Sequence, residues 1–298
     1  MRREIPPKNL LDRLGRALNR RCCAQDDTKL WVYHRVHPSA STDNIFGLKV
    51  SPELFEAQLK TAISKAVPVF ADQLLDSGWP MQKGPSRVAF TFDDGYADNY
   101  SYVLPLLKKY RVPCTIFLNS DWVGNSKRRL CDRLLRCVQL GTLSQQSVVD
   151  TAWRIHHLNS EEQIDLLEKR WKYPLHEEEQ GFVHEDRSLN VQQIQEMQQS
   201  GWVRFEAHGH AHLSYGRLAL TEIEQDLKQN IELIERWTGR VPQGLAYPFG
   251  QVGDWRPELE EVLANCKLRW AMLALGQWNS PYTHPYVIDR SAPQGGSS

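Results

Sequence analysis

Two neighbouring carboxylates, Asp93 and Asp94, are the first residues whose types and position could support chemistry. They directly follow a run of strand-forming residues at positions 88–92. Adjacent carboxylates at the end of a buried strand repel each other and resist the loss of water, and a bound cation would relieve both costs. Because neighbouring side chains leave a strand end in different directions, one carboxylate could bind a metal while the other acts as a base. An Asx-type turn that begins the next helix is the alternative.

Three histidines, His208, His210 and His212, follow a second apolar stretch at positions 202–205. His208 and His212 are four residues apart, so one helical turn would place both rings on one face, and a loop would also let them converge on one cation. His210 would point elsewhere in either geometry. A carboxylate pair and a histidine cluster, each at a strand end, together predict a metal-dependent hydrolase.

The elements that must position these groups alternate between strands and helices. Helical spacing of apolar residues separates most of the strand-forming runs, and Thr221 and Glu224 predict a capping box for a helix that Gly239 ends. Such alternation predicts an α/β fold with a parallel sheet or barrel, in which catalytic groups gather at the carboxyl ends of the strands. Residues 122–190 are charged and irregular and predict a helical insertion. The predicted strands lie at residues 30–34, 68–70, 88–92, 114–118, 202–207, 244–247 and 270–275.

Composition excludes one class of partner. Lys and Arg together number 36, as do Asp and Glu, so the formal net charge is zero. This balance argues against a nucleic-acid binder that depends on phosphate contacts, and it is compatible with a neutral substrate such as a sugar. The six cysteines form no Cys-x-x-Cys pair, which argues against a zinc ribbon and favours a reducing compartment.

The first 28 residues form a segment of their own. They lack the apolar core of a secretion signal, and no stretch of the chain reaches the roughly 20 apolar residues that span a bilayer. We therefore expect a cytoplasmic protein with a catalytic domain at residues 29–293. Leucines interleaved with arginines at positions 10–21 predict an amphipathic helix. Such a helix could rest on the inner face of an anionic membrane, although packing on its own domain is the favoured alternative.

Three motifs carry a family resemblance. Thr-Phe-Asp-Asp-Gly-Tyr at residues 91–96, the His-x-x-x-His cluster at residues 208–212 and Tyr-Pro-Phe-Gly at residues 247–250 occur in this order. Together they resemble the polysaccharide deacetylases of carbohydrate esterase family four, which share the homology domain of the nodulation chitooligosaccharide deacetylase. The Tyr-His-Arg-Val opening at residues 33–36 is similar to the subgroup found with exopolysaccharide biosynthesis.

The resemblance implies a distorted (β/α) barrel with fewer strands than the eightfold one. It further implies that Asp94, His208 and His212 hold a divalent metal, usually zinc, and that Asp93 is the general base. The Pro-aromatic-Gly turn would offer the backbone N–H of Phe249 to the negative charge that develops on the carbonyl oxygen.

Two departures from the family pattern leave roles open. Many members have an arginine at the front of the third motif that orients the catalytic aspartate, and no basic residue stands at positions 245–247 here. Arg290 could supply that charge from the last strand. Many members also carry a late apolar-His motif whose histidine is the general acid. Its absence after Asp289 leaves His34, His284 and Asp289 itself as candidates for the acid.

The implied activity is removal of N-acetyl groups from N-acetylhexosamine units of a glycan, with release of acetate. Tyr96 and Tyr247 are the expected substrate-binding residues, and Glu206 is a candidate for orienting a histidine ligand. Three alternatives remain: an O-deacetylase, an amidase acting on a non-sugar amide, and a catalytically inactive glycan-binding protein.

Overall fold

A computed structural model describes most of the residues that the motifs occupy. The expected N-terminal segment, residues 1–28, and most of the expected insertion at residues 122–190 lie outside the described residues. The membrane contact, the domain boundary and the insertion therefore stay predictions. The described residues are 29–41, 44, 47–76, 85–124, 187–277, 279 and 283–293, with the single positions 138, 144, 154, 158, 159, 161 and 162.

The centre of the fold is a sheet in which every strand pair is parallel. Among the described residues the hydrogen-bonded order is β1-β5-β6-β7-β8-β9-β10, with β4 also beside β5, while β2 and β3 form a separate pair. The strands are β1 (Lys29–Tyr33), β2 (Arg35–Val36), β3 (Lys49–Val50), β4 (Val67–Pro68), β5 (Arg87–Phe92), β6 (Cys114–Leu118), β7 (Val203–Ala207), β8 (Gly244–Ala246), β9 (Trp270–Leu273) and β10 (Ile288–Asp289).

Ser291, directly after β10, closes the sheet on itself. Its N–H donates to the carbonyl of Leu30 at 3.0 Å and its carbonyl accepts from the N–H of Val32 at 3.1 Å, so the end of β10 pairs with β1. The predicted α/β class and the distorted (β/α) barrel are confirmed, and the strands on this closed path are seven within the described part of the chain.

Helices surround the sheet and largely follow the predicted positions. The helix at residues 220–238 begins one residue earlier than predicted, and the predicted capping box of Thr221 and Glu224 is wrong, because the carboxylate of Glu222 accepts the N–H of Ala219 at 2.9 Å. Gly239 does end this helix, with φ of 71°. In the described part of the chain, no helix combines the length and the apolar character needed to cross a membrane. The helices are α1 (Pro52–Ile63), α2 (Ala71–Asp76), a π-helical turn (Asn99–Val103) that continues into α3 (Leu104–Tyr110), α4 (Val191–Gln199), α5 (Leu220–Thr238) and α6 (Leu259–Asn265), with 3₁₀ turns at Pro38–Ser41 and Val252–Asp254.

Alternation along each strand divides the core into an outer and an inner layer. In β6, Cys114, Ile116 and Leu118 pack outward among the helices, whereas Phe117 joins the barrel interior. The inner layer also holds Trp270, together with small residues that make room for these rings. Because strands with helices outside and side chains inside are buried on both faces, they read as continuous apolar runs in the sequence.

A network of charged residues links β7 to α2 and to the start of β8. Glu206 is buried and accepts hydrogen bonds from Arg240 at 2.7 Å and from the N–H groups of Gln243 at 2.6 Å and Gly244 at 2.9 Å. Glu206 therefore does not orient a histidine ligand as predicted, and its contacts instead join β7 to the start of β8. Asp72 on α2 links the same arginine to β7 through Arg204. These contacts hold α2, β7 and the start of β8 together.

Gly244 makes the barrel interior sensitive to a single added carbon. A Cβ there would lie 2.0 to 2.2 Å from three ring atoms of Trp270, which pairs with Gly244 across β8 and β9. We expect Gly244→Ala to lower the free energy of unfolding by about 1–3 kcal/mol, since overpacking forces buried side chains off their preferred rotamers. Urea unfolding measures this loss. The matched control is Gly253→Ala, where nothing lies within 4 Å of the added carbon, and equal stability of the two variants would contradict the packing described.

Candidate metal and catalytic centre

The sequence motifs meet at one end of the barrel. Each chemistry-bearing residue follows the carboxyl end of a parallel strand: His34 follows β1, the two aspartates follow β5, His208 follows β7 and Arg290 follows β10. Parallel strands present their carboxyl ends on the same face, so residues far apart in the sequence converge there.

Asp94, His208 and His212 form a three-sided group with the dimensions of a metal site, and these three residues are called the metal group below. The Oδ1 atom of Asp94 lies 3.5 Å from Nε2 of His208 and 3.4 Å from Nε2 of His212, and one ligand atom from each residue lies within 4.8 Å of the others. A tetrahedral zinc ion with bonds of about 2.1 Å separates its ligands by about 3.4 Å. Two imidazole nitrogens and one carboxylate oxygen are also a donor set that zinc accepts, with a position left for water or substrate. The residues present therefore fit a divalent cation.

His208 is held in the orientation that such a site needs. Its Nδ1 lies 2.7 Å from the carbonyl oxygen of Ala246 in β8, and a carbonyl can only accept, so Nδ1 carries the proton. The lone pair of Nε2 then points toward Asp94. A hydrogen bond of this kind fixes both the tautomer and the ring plane of a histidine ligand.

Left-handed backbone conformations cluster at this centre. Of the five described non-glycine residues with positive φ, three are here: Asp94 at 76°, His212 at 53° and Phe249 at 65°. Each costs on the order of 1–2 kcal/mol for a residue with a Cβ atom, and such strain is typical of functional sites. Gly95 continues the first turn at φ of 78°, where a Cβ would lie 2.4 Å from Cδ2 of Leu118.

Asp93 faces Arg290 rather than the histidines of the metal group. The guanidinium donates to Oδ1 at 2.6 Å through Nη1 and to Oδ2 at 2.8 Å through Nη2, and both side chains are buried. Arg290 is fixed in turn by Thr91 Oγ1 at 3.1 Å and the carbonyl of Leu273 at 3.2 Å. Burial is the largest single influence on the pKa of Asp93 and raises it, but the charge and hydrogen bonds of Arg290 together with the nearby histidines outweigh burial. The pKa therefore lies below its ordinary value, and the carboxylate is ionised at neutral pH. The charge missing from the third motif thus comes from the end of β10.

Of the three candidates for the acid, His34 is the one that lies beside Asp93. Its Nε2 is 3.9 Å from Oδ2 of Asp93, and its side chain is partly exposed. Burial lowers the pKa of His34, and the negative charge of Asp93 offsets part of that effect, so the neutral ring is favoured at neutral pH.

The other two candidates for the acid have different partners. His284 lies 3.4 Å from Glu260 and contacts the rings of Trp255 and Tyr286. Asp289 accepts the N–H of Leu275 at 2.6 Å and that of Gln277, so its carboxylate holds the chain that follows β9.

The two tyrosines expected to bind substrate are fully buried. Tyr96 packs edge-on against Trp122 with a centroid distance of 4.8 Å, and the guanidinium of Arg35 lies 4.4 Å from its ring centre. Tyr247 is also buried, and its hydroxyl donates to the carbonyl of Tyr286 at 3.0 Å. These placements correct the substrate-binding expectation, because neither side chain can reach a glycan.

The aromatic residue that borders the metal group is Phe249, whose ring centre lies 4.7 Å from that of His212.

Sequence reasoning missed two residues of α5 that contact the histidine loop, Asp226 and Asn230. A signal for one of them was present. Asn230 is a polar residue on the buried stripe that Ile223, Leu227 and Ile234 form. A polar residue on an apolar helix face needs hydrogen-bond partners inside the fold, and such a residue is a candidate for holding another segment in place.

Comparisons with known proteins match the chain to one family model and to a curated relative. The sequence model described as "Polysaccharide deacetylase" matches residues 81–271, which is more than half of the chain. Among curated proteins, YxkH of Bacillus subtilis (strain 168), whose name assigns it to the polysaccharide deacetylases, is 28% identical over 136 residues. That match covers 42% of this chain and 48% of YxkH, so it spans about half the length of the relative.

Solved structures with the same fold cover nearly the whole chain. IcaB from Ammonifex degensii has a TM-score of 0.62 at 18% identity, with 91% of this chain and 93% of that chain covered. The Streptococcus pyogenes deacetylase PplD has a TM-score of 0.61 at 15% identity and covers 89% of this chain and 92% of its own. The BpsB deacetylase domain from Bordetella bronchiseptica has a TM-score of 0.58 at 18% identity, with 89% and 95% covered. At these identities the likeness establishes the fold.

Proposed function

The chain belongs to the polysaccharide deacetylase family, and from this premise we propose that it is a metal-dependent hydrolase that removes N-acetyl groups from N-acetylhexosamine units of a glycan. The observation that carries the proposal is the separation of two adjacent carboxylates into different surroundings. Asp93 binds Arg290 and lies beside His34, whereas Asp94 faces His208 and His212. Two such environments suit a base and a metal ligand respectively.

We propose zinc as the cation, held by Asp94, His208 and His212. Imidazole nitrogen suits zinc better than it suits magnesium or calcium, which prefer oxygen ligands. When bound, such a cation would act as a Lewis acid toward the acetyl carbonyl and would lower the pKa of water.

Asp93 is proposed to take the proton of the water molecule that attacks the acetyl carbon. Arg290 keeps the carboxylate ionised and fixes both of its oxygens, so the base is ready in one orientation. Each carboxylate oxygen keeps a second acceptor direction beyond its bond to the guanidinium, and this direction is available to water.

His34 is proposed to complete the reaction by protonating the leaving nitrogen. As the water oxygen bonds to the acetyl carbon, the C–N bond breaks and the nitrogen needs one proton to leave as an amine. Asp93 gains one proton from water, and the 3.9 Å separation from His34 lets the pair return it to the nitrogen. The sum is hydrolysis to acetic acid and an amine, with no net change in the protein, and the proton that acetic acid then loses as it ionises to acetate is taken up by the amine.

The backbone N–H of Phe249 is proposed to stabilise the negative charge that develops on the carbonyl oxygen. The contact between the rings of Phe249 and His212 supports this proposal, and the left-handed φ of 65° at Phe249 is a conformation typical of functional sites. Loss of one hydrogen-bond donor to such an oxyanion costs about 2.7–4 kcal/mol where a side-chain donor has been removed by mutation.

Acetate release from matched substrates tests the proposed function. Zinc-loaded protein is given N-acetylglucosamine oligomers in one reaction and an O-acetylated polysaccharide in the other. We expect acetate from the N-acetylated oligomers and little from the O-acetylated glycan. Release from the O-acetylated glycan alone would identify an O-deacetylase. Release from neither, by protein that binds the oligomers, would favour an inactive glycan-binding protein.

A further inference from the structure

The two histidines of the metal group lie on one loop that has no helical structure to fix their spacing. Residues 208–212 follow β7 and form neither helix nor strand. Within this loop Gly209 has φ of 75° and His212 has φ of 53°. The distance between the two Nε2 atoms therefore depends on what holds the loop backbone.

Asp226 on α5 binds two consecutive backbone N–H groups of this loop. Its Oδ2 accepts from the N–H of His210 at 2.8 Å, and its Oδ1 accepts from the N–H of Ala211 at 2.9 Å. The hydroxyl of Tyr215 donates to Oδ2 at 2.6 Å, which fixes the carboxylate from the other side. Hydrogen bonds to an ionised acceptor are roughly twice as strong as those between neutral groups.

Asn230, one helical turn further along α5, binds the start of the same loop. Its Oδ1 accepts from the N–H of His208 at 3.2 Å, and its Nδ2 donates to the carbonyl of Leu118 and to Oγ of Ser120, both at 2.9 Å. Ser120 Oγ lies 2.8 Å from Nδ1 of His210. Asn230 is fully buried, so these bonds satisfy a polar group that would otherwise destabilise the core.

Gly209 indicates how closely the loop approaches these residues. A Cβ at this position would lie 2.7 Å from the hydroxyl oxygen of Tyr215 and 2.9 Å from Oδ2 of Asp226. Together with the positive φ, this contact leaves glycine as the residue that fits. The loop backbone at Gly209 therefore packs directly against the carboxylate of Asp226.

We propose that Asp226 and Asn230 are positioning residues that set the separation of His208 and His212 and thereby the metal affinity of the centre. Because the two residues are four apart on one helix, they lie on the same face and hold the N–H groups of residues 208, 210 and 211 as a unit. This inference rests on the proposed metal dependence. It adds two residues that are not metal ligands themselves but hold the loop that carries two of the ligands. Hydrogen bonds that support metal ligands typically change metal affinity or activity by about 10–100-fold when they are removed.

The test compares Asp226→Asn with Glu222→Gln. Both changes replace a carboxylate that accepts a backbone N–H with an amide, and the two positions are one turn apart on α5, but Glu222 binds Ala219 rather than the loop. Zinc dissociation constants are measured by competition with a chromophoric chelator, at a temperature where circular dichroism shows each variant folded. The visible spectrum of the cobalt-substituted protein reports the ligand geometry.

We expect Asp226→Asn to raise the zinc dissociation constant by about tenfold or more and to change the cobalt spectrum. The dissociation constant and the spectrum of Glu222→Gln should both match those of the parent protein. Tyr215→Phe removes the hydroxyl that donates to Asp226 but keeps both hydrogen bonds between Asp226 and the loop. We expect it to raise the zinc dissociation constant by a smaller factor. It replaces Asp226→Asn as the test if Asp226→Asn does not fold. Unchanged affinity and spectrum in Asp226→Asn, or in Tyr215→Phe where that variant alone folds, would overturn this inference and leave the proposed function intact. A parent protein that binds no stoichiometric zinc or cobalt would overturn the proposed function instead.

Discussion

Replacing Asp93 with asparagine is expected to lower kcat for acetate release by about two to four orders of magnitude while the protein still binds one zinc ion. The change removes the proposed acceptor of the water proton and leaves Asp94, His208 and His212 untouched. It also removes the charge that Arg290 faces, but the amide keeps an oxygen that can accept one of the two guanidinium bonds. Steady-state kinetics with an N-acetylglucosamine oligomer, together with metal analysis of the same sample, measure both parts of the prediction.

Asp94→Asn is the matched control, because the same chemical change one residue later removes a proposed metal ligand. We expect this variant to lose zinc as well as activity. An Asp93→Asn protein that turns over at the parent rate would refute the assignment of the base. Loss of zinc from Asp93→Asn and retention of zinc by Asp94→Asn would exchange the two roles.

Replacing Arg290 with methionine is expected to reduce both stability and activity. The buried carboxylate of Asp93 would lose its bidentate partner, and removing one member of a buried ion pair typically costs about 3–5 kcal/mol. Burial then remains the main influence on the carboxyl group and raises the pKa of Asp93. Because a base must be ionised to act, the acid limb of the kcat/KM profile should move to higher pH. Urea unfolding and pH–rate profiles measure the two effects.

Arg240→Met is the control that separates the loss of stability from the shift of the pH profile. Arg240 also binds a buried carboxylate, that of Glu206 in β7. We expect a loss of stability there as well, with the acid limb of the profile unchanged, since Asp93 keeps its partner. An Arg290→Met protein with the parent pH profile would contradict the role of Arg290 in keeping the base ionised.

The sequence was informative about this protein wherever local pattern decides structure. The strand at residues 114–118 was predicted with its observed bounds, because an apolar run that follows a proline and a helix end has few other interpretations. The convergence of residues at strand ends followed from the predicted fold class alone. The shape of the histidine loop did not follow, because four-residue spacing is compatible with both a helix and a loop.

Long-range contacts were beyond what local pattern can provide. The pairing of Arg290 with Asp93 joins residues 197 positions apart, and only the closure of the barrel brings them together. Burial of Tyr96 and Tyr247 is likewise set by tertiary packing, since a tyrosine next to a motif can face a substrate or the core with equal local preference. The same limit applies to Asp226, whose role depends on where α5 packs against the loop.

Titration of the metal-free protein with zinc, followed by measurement of acetate release from an N-acetylglucosamine oligomer, tests the proposed metal dependence. We expect little release without metal, a rise in proportion to added zinc and a plateau at about one zinc ion per chain, since the three proposed ligands form one site. Acetate release at the full rate by protein that is demonstrably free of metal would show that the reaction does not depend on a cation at Asp94, His208 and His212.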